Sequence, residues 1–184
     1  MNFDVFIVGK KIDLIVLNEG LVDTSQWYQW FNDEEITLQM QKHYFPNTLT
    51  MQKEYFKNNI EGNSQKIQCG ILHKKDQIMI GIVSLNSIDF LNRKCEIAGL
   101  IGEKQYQNLQ YIVEALQLLI KHAFEQLNMN RIYGGTIIKE VYDIFVKILG
   151  FMGEGVGRSE VYKNGTYHDT YKLGLLRDEY YSLI

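Results

Sequence analysis

The chemistry that this sequence offers first is anion binding at residues 102–108, GEKQYQN, a polar turn between an apolar strand and a long helix. The strand is predicted over residues 96–101 and the helix over residues 109–127. A strand that turns directly into a helix leaves backbone N–H groups of the first helical turn without partners, and the helix dipole adds positive partial charge there. A phosphate is the anion that such a turn commonly binds. Many strand-to-helix connections bind nothing, so a purely structural interpretation of the turn stays open.

The long helix that follows is amphipathic. Its apolar residues recur at intervals of three and four, the spacing of a face buried against a core. These residues are Ile112, Leu116, Leu119, Ile120, Ala123, Phe124 and Leu127. The polar face carries Gln110, Glu114, Gln117, Lys121 and Glu125.

The composition indicates one folded domain over residues 1–184. A chain of 184 residues with 46% hydrophobic residues can bury a substantial core, which excludes a disordered protein. The net charge is −3, and Lys and Arg are spread without a basic block, so nucleic acid is not an expected partner. No apolar run approaches about 18 residues, so no membrane span is predicted.

The cysteines favour a cytoplasmic protein. Cys69 and Cys95 are isolated, each in an apolar segment, which is typical of reduced core residues. The first residues, MNFDVFIVGKKIDL, lack the features of a signal peptide. Two cysteines and four scattered histidines are a poor ligand set for zinc, so no metal is predicted.

Apolar periodicity predicts an α/β protein of the α+β type, with seven strands. They cover residues 3–7, 12–16, 67–72, 79–88, 96–101, 131–138 and 166–176. Helices are expected after residues 23–25, after Thr50, over residues 109–127 and over residues 141–149. Residues 39–47 are predicted as a loop, and Gly155, Gly157 and Asn164-Gly165 as turns.

Three segments carry a family resemblance. YQNLQYIVEAL at residues 106–116 resembles the acetyl-CoA-binding segment of the GNAT N-acetyltransferases, close to the branch that acetylates ribosomal proteins and amino sugars. ILGFMGEG at residues 148–155 resembles the family's Gly-Phe signature, and GTYHDTYKLGLLRDE at residues 165–179 its closing strand. The resemblance implies a single GNAT-like domain with a central, mostly antiparallel sheet of about seven strands flanked by helices. That sheet is expected to splay between residues 96–101 and 131–138, where the long helix starts.

The resemblance also implies acetyl-CoA as co-substrate. The backbone of Leu100, Ile101 and Gly102 is expected to pair with the pantetheine arm, much like an added strand. The pyrophosphate is expected at the turn and helix start, and Lys139 takes the place of a family asparagine that touches the cofactor. The residues expected at the pyrophosphate are Tyr106, Gln107, Asn108, Leu109, Gln110 and Tyr111.

Two residues are candidates for proton transfer. Glu96 occupies the place of a glutamate often seen early in the family's fourth strand, so it is either the general base or a structural carboxylate. The family's tyrosine that can protonate the leaving thiolate is replaced by Val146. Tyr142 lies one turn earlier on the same side of the predicted helix, where it is either a substitute acid or a packing residue.

The acceptor is expected to be a primary amine of a small molecule or a protein N-terminus, with amino sugars as the small-molecule class. WYQWFND at residues 27–33 resembles the family's helix at the acceptor cleft, which implicates Trp27, Trp30 and Asn32, and His168 lies in the closing strand. Two tryptophans at a spacing of three are also typical of a core. A monomer or a homodimer is expected.

The motif departs from the family at its glycines, which Asn108 and Gln110 replace. Glycine lets the backbone approach a pyrophosphate closely, whereas Gln110 adds a long side chain there. A second interpretation therefore stands beside the enzyme: a non-catalytic GNAT-fold protein that binds a ligand or partner in the former cleft.

Overall fold

The computed structural model describes residues 3–38, 40 and 45–183, which fold around one sheet. Its strands are β1 (Val5–Val8), β2 (Ile12–Val16), β3 (Ile67–His73), β4 (Ile78–Asp89), β5 (Lys94–Ile101), β6 (Arg131–Thr136), β7 (Met152–Lys163) and β8 (Thr166–Leu176). The helices are α1 (Glu19–Thr24), α2 (Trp27–Trp30), α3 (Glu34–Thr37), α4 (Leu49–Asn59), α5 (Leu109–Glu125), α6 (Lys139–Lys147) and α7 (Arg177–Leu183).

The strand order is β1-β2-β3-β4-β5-β6-β8-β7, and every neighbouring pair is antiparallel except β5 and β6. Parallel neighbours need a crossover connection, and α5 supplies it. The predicted mixed α/β fold with a mostly antiparallel sheet is confirmed.

Helix α5 begins where predicted because Asn108 caps it with its side-chain oxygen. The apolar face is buried at Ala115, Leu116, Leu119, Ile120, Ala123 and Phe124. That face packs on β5, β4 and β2, so the helix N-terminus is fixed beside the end of β5.

The sheet has one strand more than the seven predicted, and the addition is β7. Two glycines, Gly155 and Gly157, favoured turns, but Gly155 (φ +125°) accommodates an irregularity in the register between β7 and β8 while the strand continues. Residues of β7 are almost all exposed at this sheet edge, so no apolar alternation marked it in the sequence. Helix α7 was not predicted either, and the loop expected over residues 39–47 lies largely outside the described residues.

Both cysteines are buried and unpaired, and burial raises the pKa of each thiol to about 12. Within residues 3–38, 40 and 45–183, no helix is long and apolar enough to cross a membrane. The same residues contain no group of three His, Cys, Asp or Glu side chains placed to hold a metal ion.

Candidate active site

The sheet opens between β5 and β6. The parallel pairing joins only Lys94 to Arg131, Cys95 to Ile132 and Glu96 to Tyr133. Beyond that point β5 stays paired with β4 and β6 stays paired with β8, so the two strands diverge. Ala98 and Gly99 are exposed in the middle of β5 for this reason. The predicted splay is confirmed, and it leaves one edge of β5 without a neighbouring strand.

A cavity of about 410 Å³ fills this opening. Glu96 lies at its closed end, where the pairing of the two strands stops. The walls come from β4, β5, β6, α6 and the segments around α2 and α3. Its lining residues are Phe31, Met40, Ile82, Ser84, Glu96, Ile97, Ala98, Gly99, Leu100, Gly134, Gly135, Thr136, Val141, Phe145 and Leu173.

The Glu96 side chain is half-buried, and within the described part of the chain it has neither a hydrogen bond nor an ion pair. Its partner in register is Tyr133. Burial raises the pKa of the Tyr133 phenol, and the negative charge of Glu96 raises it further. Among the described residues the Glu96 carboxylate is thus an unpaired group in the cleft, and Tyr133 is its neighbour in register on β6 without being one of the residues that line the cleft. The sequence did not point to Tyr133, because only the strand register brings it to Glu96.

Most N–H groups of residues 102–111 are already bonded within the protein. The first two donate to the carbonyl of Ile80, at 2.9 and 3.1 Å, and the others to acceptors inside the turn. The Gln110 N–H donates to the side-chain oxygen of Asn108 at 3.0 Å. The donors with a protein acceptor are Gly102, Glu103, Tyr106, Gln107, Asn108, Gln110 and Tyr111. A phosphate that accepts a hydrogen bond from any of these seven N–H groups would have to displace the protein acceptor of that group.

The Gln110 side chain is not one of the acceptors that occupy the N–H groups of the turn. Its oxygen accepts a hydrogen bond from the Lys11 ammonium in the turn between β1 and β2. One turn later, Glu114 accepts from the backbone N–H groups of Lys10 and Lys11. The long side chain is thus held against a neighbouring hairpin, and Asn108 is the residue whose side chain caps the helix.

Tyr106 and Tyr111 both contact His73, at the end of β3. The Tyr111 hydroxyl lies 3.1 Å from His73 Nε2, and the Tyr106 hydroxyl donates to Asp76 Oδ2 at 2.8 Å. The same Asp76 oxygen lies 2.9 Å from His73 Nδ1, without the alignment of a hydrogen bond. The hydrogen bond to Asp76 raises the pKa of Tyr106. These contacts attach the end of the turn and the first turn of α5 to His73 at the end of β3.

Trp27 and Trp30 are corrected to core residues. Trp27 is fully buried, and Trp30 is 3% exposed within the second cluster of the core. The Trp30 indole N–H donates to the Glu103 carboxylate at 3.1 Å, and its ring lies against Gly102. Neither ring offers a free face to a ligand, because both fill the space between the sheet and the first helices. Trp30 instead supports the start of the turn.

Asn32 and His168 line two outer cavities rather than the cleft of Glu96. Asn32 borders a cavity of about 360 Å³, where its amide exchanges hydrogen bonds with the backbone of Asn47 at 2.6 and 2.7 Å. His168 borders a cavity of about 370 Å³, with Nε2 3.1 Å from the Lys163 carbonyl. The two cavities share Leu38, Lys163 and Asn164.

Tyr142 lies on α6 but is not among the residues that line the cleft. Its ring stacks at a tilt on Tyr171, 5.4 Å between centroids, and its hydroxyl occupies the space beside Gly153. The Lys139 ammonium lies 4.5 Å from the centre of the Tyr142 ring and pairs with Asp143. Val141 and Phe145 are the residues that α6 presents to the cleft. The structure therefore does not bring Tyr142 to Glu96.

Comparison with known proteins decides the family. Residues 17–139 match the family described as the acetyltransferase (GNAT) domain. The chain belongs to the GNAT acetyltransferase family. The "Putative ribosomal N-acetyltransferase YdaF" of Bacillus subtilis (strain 168) is 34% identical over 115 residues, which are 62% of this chain and 61% of that protein. The match thus spans about three fifths of that relative's length.

Two further comparisons extend over most of this GNAT chain. The "Uncharacterized N-acetyltransferase p20" of Bacillus licheniformis is 28% identical over 164 residues, 87% of this chain and 90% of the relative. Among solved structures, a spermidine N-acetyltransferase from Vibrio cholerae in complex with CoA and spermine superposes with a TM-score of 0.82 at 19% identity. That match covers 93% of this chain and 98% of the other, and it demonstrates a shared fold.

Proposed function

We propose that this GNAT protein transfers an acetyl group from acetyl-CoA to a primary amine. The observation that carries the proposal is the unpaired Glu96 carboxylate at the closed end of the opening between β5 and β6. Of the three residues expected to pair with a pantetheine arm, Leu100 lines the opening, whereas Ile101 is buried and Gly102 donates its N–H to the Ile80 carbonyl. The strand residues that the opening leaves accessible for such pairing are Ala98, Gly99 and Leu100. From Glu96 to Gly102 the strand extends about 20 Å. The arm would thus connect the turn with the carboxylate.

Each residue would then have a defined task. Glu96 takes the proton of the attacking amine, whose nitrogen forms a bond to the thioester carbonyl carbon. The C–S bond breaks, and CoA leaves as a thiolate that takes up a proton. Placing the thioester beside the amine supplies much of the rate. We do not propose Tyr142 as the acid that protonates the leaving thiolate, because its hydroxyl lies outside the cleft.

The turn would hold the phosphates less tightly than a glycine-rich turn. The backbone N–H of Leu109 and the helix dipole remain available to a phosphate. The backbone N–H of Gln110 does not, because it donates to the Asn108 side chain. Lys139 lies outside the cleft lining and is paired with Asp143, so it can reach a phosphate only by leaving that carboxylate.

The acceptor is proposed as a protein N-terminal amine, with an amino sugar as the small-molecule alternative. The similarity to a relative named for ribosomal N-acetylation supports the former. The two outer cavities are lined by Glu34 and Glu140 but also by Lys139 and Lys163, so their charge does not by itself select a protonated amine. The structural neighbours named for spermidine make a polyamine the third acceptor to test.

The test is release of the CoA thiol from acetyl-CoA in the presence of a peptide with a free N-terminus, glucosamine or spermidine. We expect turnover with at least one amine and its loss in Glu96→Gln. Absence of turnover with all three, together with absence of acetyl-CoA binding by calorimetry, would refute the proposal.

A second candidate function rests on the bonded N–H groups of residues 102–111. A turn that satisfies its own donors is also what a binding protein without acetyl-CoA would have. In that case the chain would bind a different ligand in the cleft, and acetyl-CoA would leave its thermal stability unchanged.

A further inference from the structure

Lys163, the last residue of β7, uses its ammonium group entirely within the protein. Nζ donates to the main-chain carbonyls of Thr37, Leu38 and Met40 at 2.6, 2.8 and 2.6 Å. An ammonium has three N–H donors and no acceptor, so each of its protons has one carbonyl. The contact joins segments more than 120 residues apart in the sequence.

The three carbonyls lie at and just beyond the end of α3. The carbonyl of Thr37, the last residue of α3, also accepts a hydrogen bond from the Met40 N–H, and the negative partial charge of carbonyl oxygens near a helix end makes a cation favourable there. Desolvation by the surrounding protein lowers the pKa of Lys163. Lys163 is partly buried, and three simultaneous charge-assisted hydrogen bonds make this contact stronger than a single neutral one.

This contact borders the cleft that contains Glu96 and both outer cavities. Leu38 and Lys163 line both outer cavities. Met40, whose carbonyl accepts from Lys163, lines the cleft that contains Glu96. Leu38 and Met40, whose carbonyls Lys163 binds, therefore form the wall between the outer cavities and the Glu96 cleft.

We propose that Lys163 is a positioning residue for the amine acceptor, because it fixes the wall past which the amine reaches Glu96. The inference rests on the proposed acetyl transfer. Lys163 acts through Leu38 and Met40 and not on the reacting atoms. His168 belongs to the same arrangement, since its Nε2 contacts the Lys163 carbonyl and steadies the end of the hairpin.

The test compares Lys163→Met, which keeps the length and removes every donor, with Lys163→Arg, which keeps the charge and the donors. Lys172→Met is the matched control, because Lys172 lies on the same hairpin and pairs with the exposed Glu160. Steady-state kinetics are measured with acetyl-CoA and the fastest acceptor among the free-N-terminus peptide, glucosamine and spermidine.

We expect Lys163→Met to raise the KM for the amine about tenfold, the effect of losing a charged hydrogen bond. The KM for acetyl-CoA stays within about twofold, since the turn at residues 102–108 is not touched. In Lys163→Arg the KM for the amine should stay close to the wild-type value. Lys172→Met should change neither the KM for the amine nor the KM for acetyl-CoA. Equal changes in both KM values, or the same kinetics in Lys163→Met and Lys172→Met, would overturn the proposal.

Hydrogen exchange provides a readout that needs no turnover. Lys163→Met should accelerate amide exchange at Leu38 and Met40 relative to Lys172→Met, with exchange in α5 unchanged. Unchanged amide exchange at Leu38 and Met40 in Lys163→Met would refute the positioning role of Lys163. If wild type neither acetylates any of the three amines nor binds acetyl-CoA while the exchange difference is present, the proposed acetyl transfer fails, and the wall that Lys163 holds would not serve an acceptor. Lys163→Gln replaces the Met variant if that protein does not fold.

Discussion

At the scale of single residues, Glu96 and Tyr142 were the two candidates for proton transfer, and the structure separates them. Glu96 lines the cleft without a partner among the described residues, whereas Tyr142 packs between Tyr171 and Gly153. A base must be within hydrogen-bond reach of the proton it takes, so geometry comes before acidity. Of the two candidates, Glu96 is the one that lines the cleft, and its role stays a prediction.

Glu96→Gln should lower kcat about 100-fold or more, because general-base catalysis contributes roughly that factor. The acidic limb of the pH profile should flatten, since the amide cannot titrate. Steady-state rates from pH 5 to 9 check both. Glutamine matches glutamate in size, so unchanged kcat and pH dependence in the folded variant would remove Glu96 from the role.

Tyr142→Phe should leave kcat within about twofold of wild type, because the hydroxyl lies outside the cleft and does not reach the thiolate. The measurement is kcat at saturating acetyl-CoA and amine. A loss comparable to that of Glu96→Gln would mean that α6 shifts when the substrates bind and that Tyr142 is the leaving-group acid.

At the scale of elements, the turn between β5 and α5 is supported from both sides. At the start of the turn, the Trp30 ring contacts Gly102 and its indole N–H donates to Glu103. At the end of the turn, His73 contacts Tyr106 and Tyr111. The same structure explains how Asn108 and Gln110 differ: Asn108 caps the helix, and Gln110 bonds to Lys11.

Asn108→Ala should therefore tighten acetyl-CoA binding about tenfold, since a hydrogen bond from a freed N–H to a charged phosphate contributes about 1.5 kcal/mol. Gln110→Ala is the control and should leave the affinity unchanged. Calorimetry on folded protein measures both, because loss of the cap costs about 1 kcal/mol of stability. If Gln110→Ala tightens binding and Asn108→Ala does not, the side chain that obstructs the phosphates is Gln110.

Gly102→Ala should lower the free energy of unfolding by about 1–3 kcal/mol, the usual cost of overpacking a core. A Cβ at Gly102 would lie 2.0 Å from the Trp30 ring, whereas one at Gly134 would meet only contacts of 3.5 Å. Gly134→Ala is thus the matched control, with a change expected within about 0.5 kcal/mol. Urea denaturation compares the two, and equal midpoints would show that Trp30 can move away.

At the scale of the whole molecule, the cleft is a consequence of topology. α5 crosses between parallel β5 and β6, and pairing between those strands ends at Glu96 and Tyr133. The lost strand pairing is what makes room for a cofactor arm. Any ligand bound there contacts both halves of the sheet, so its binding should stabilise the whole fold.

Acetyl-CoA at a hundredfold excess over its Kd should stabilise the folded state by about 2.7 kcal/mol. For a chain of this length that corresponds to a rise in Tm of roughly 5–10 °C. Glu96→Gln should show the same rise, because the base is not needed for binding. No rise up to millimolar acetyl-CoA would support the non-catalytic alternative.

The sequence by itself predicted most of the helices and strands because apolar periodicity and helix capping are local signals, and the family resemblance supplied how the strands are arranged. Residues 109–125 carry a full apolar face and Asn108 a cap, so α5 was predictable within two residues. Strand β7 carries no such signal, since a long, exposed edge strand has no buried face to alternate. The family pattern likewise placed the opening between β5 and β6.

Tertiary structure alone decided the environment of each candidate side chain. The spacing of Trp27 and Trp30 was compatible with a cleft but more typical of a core, and it is the packing of the first helices on the sheet that buries them. The Gln110 side chain is oriented by its hydrogen bond with Lys11, about a hundred residues earlier in the sequence. The Lys163 ammonium likewise bonds to carbonyls more than 120 residues earlier. Local sequence determines which face of an element is apolar, but which polar groups meet depends on how distant elements pack together.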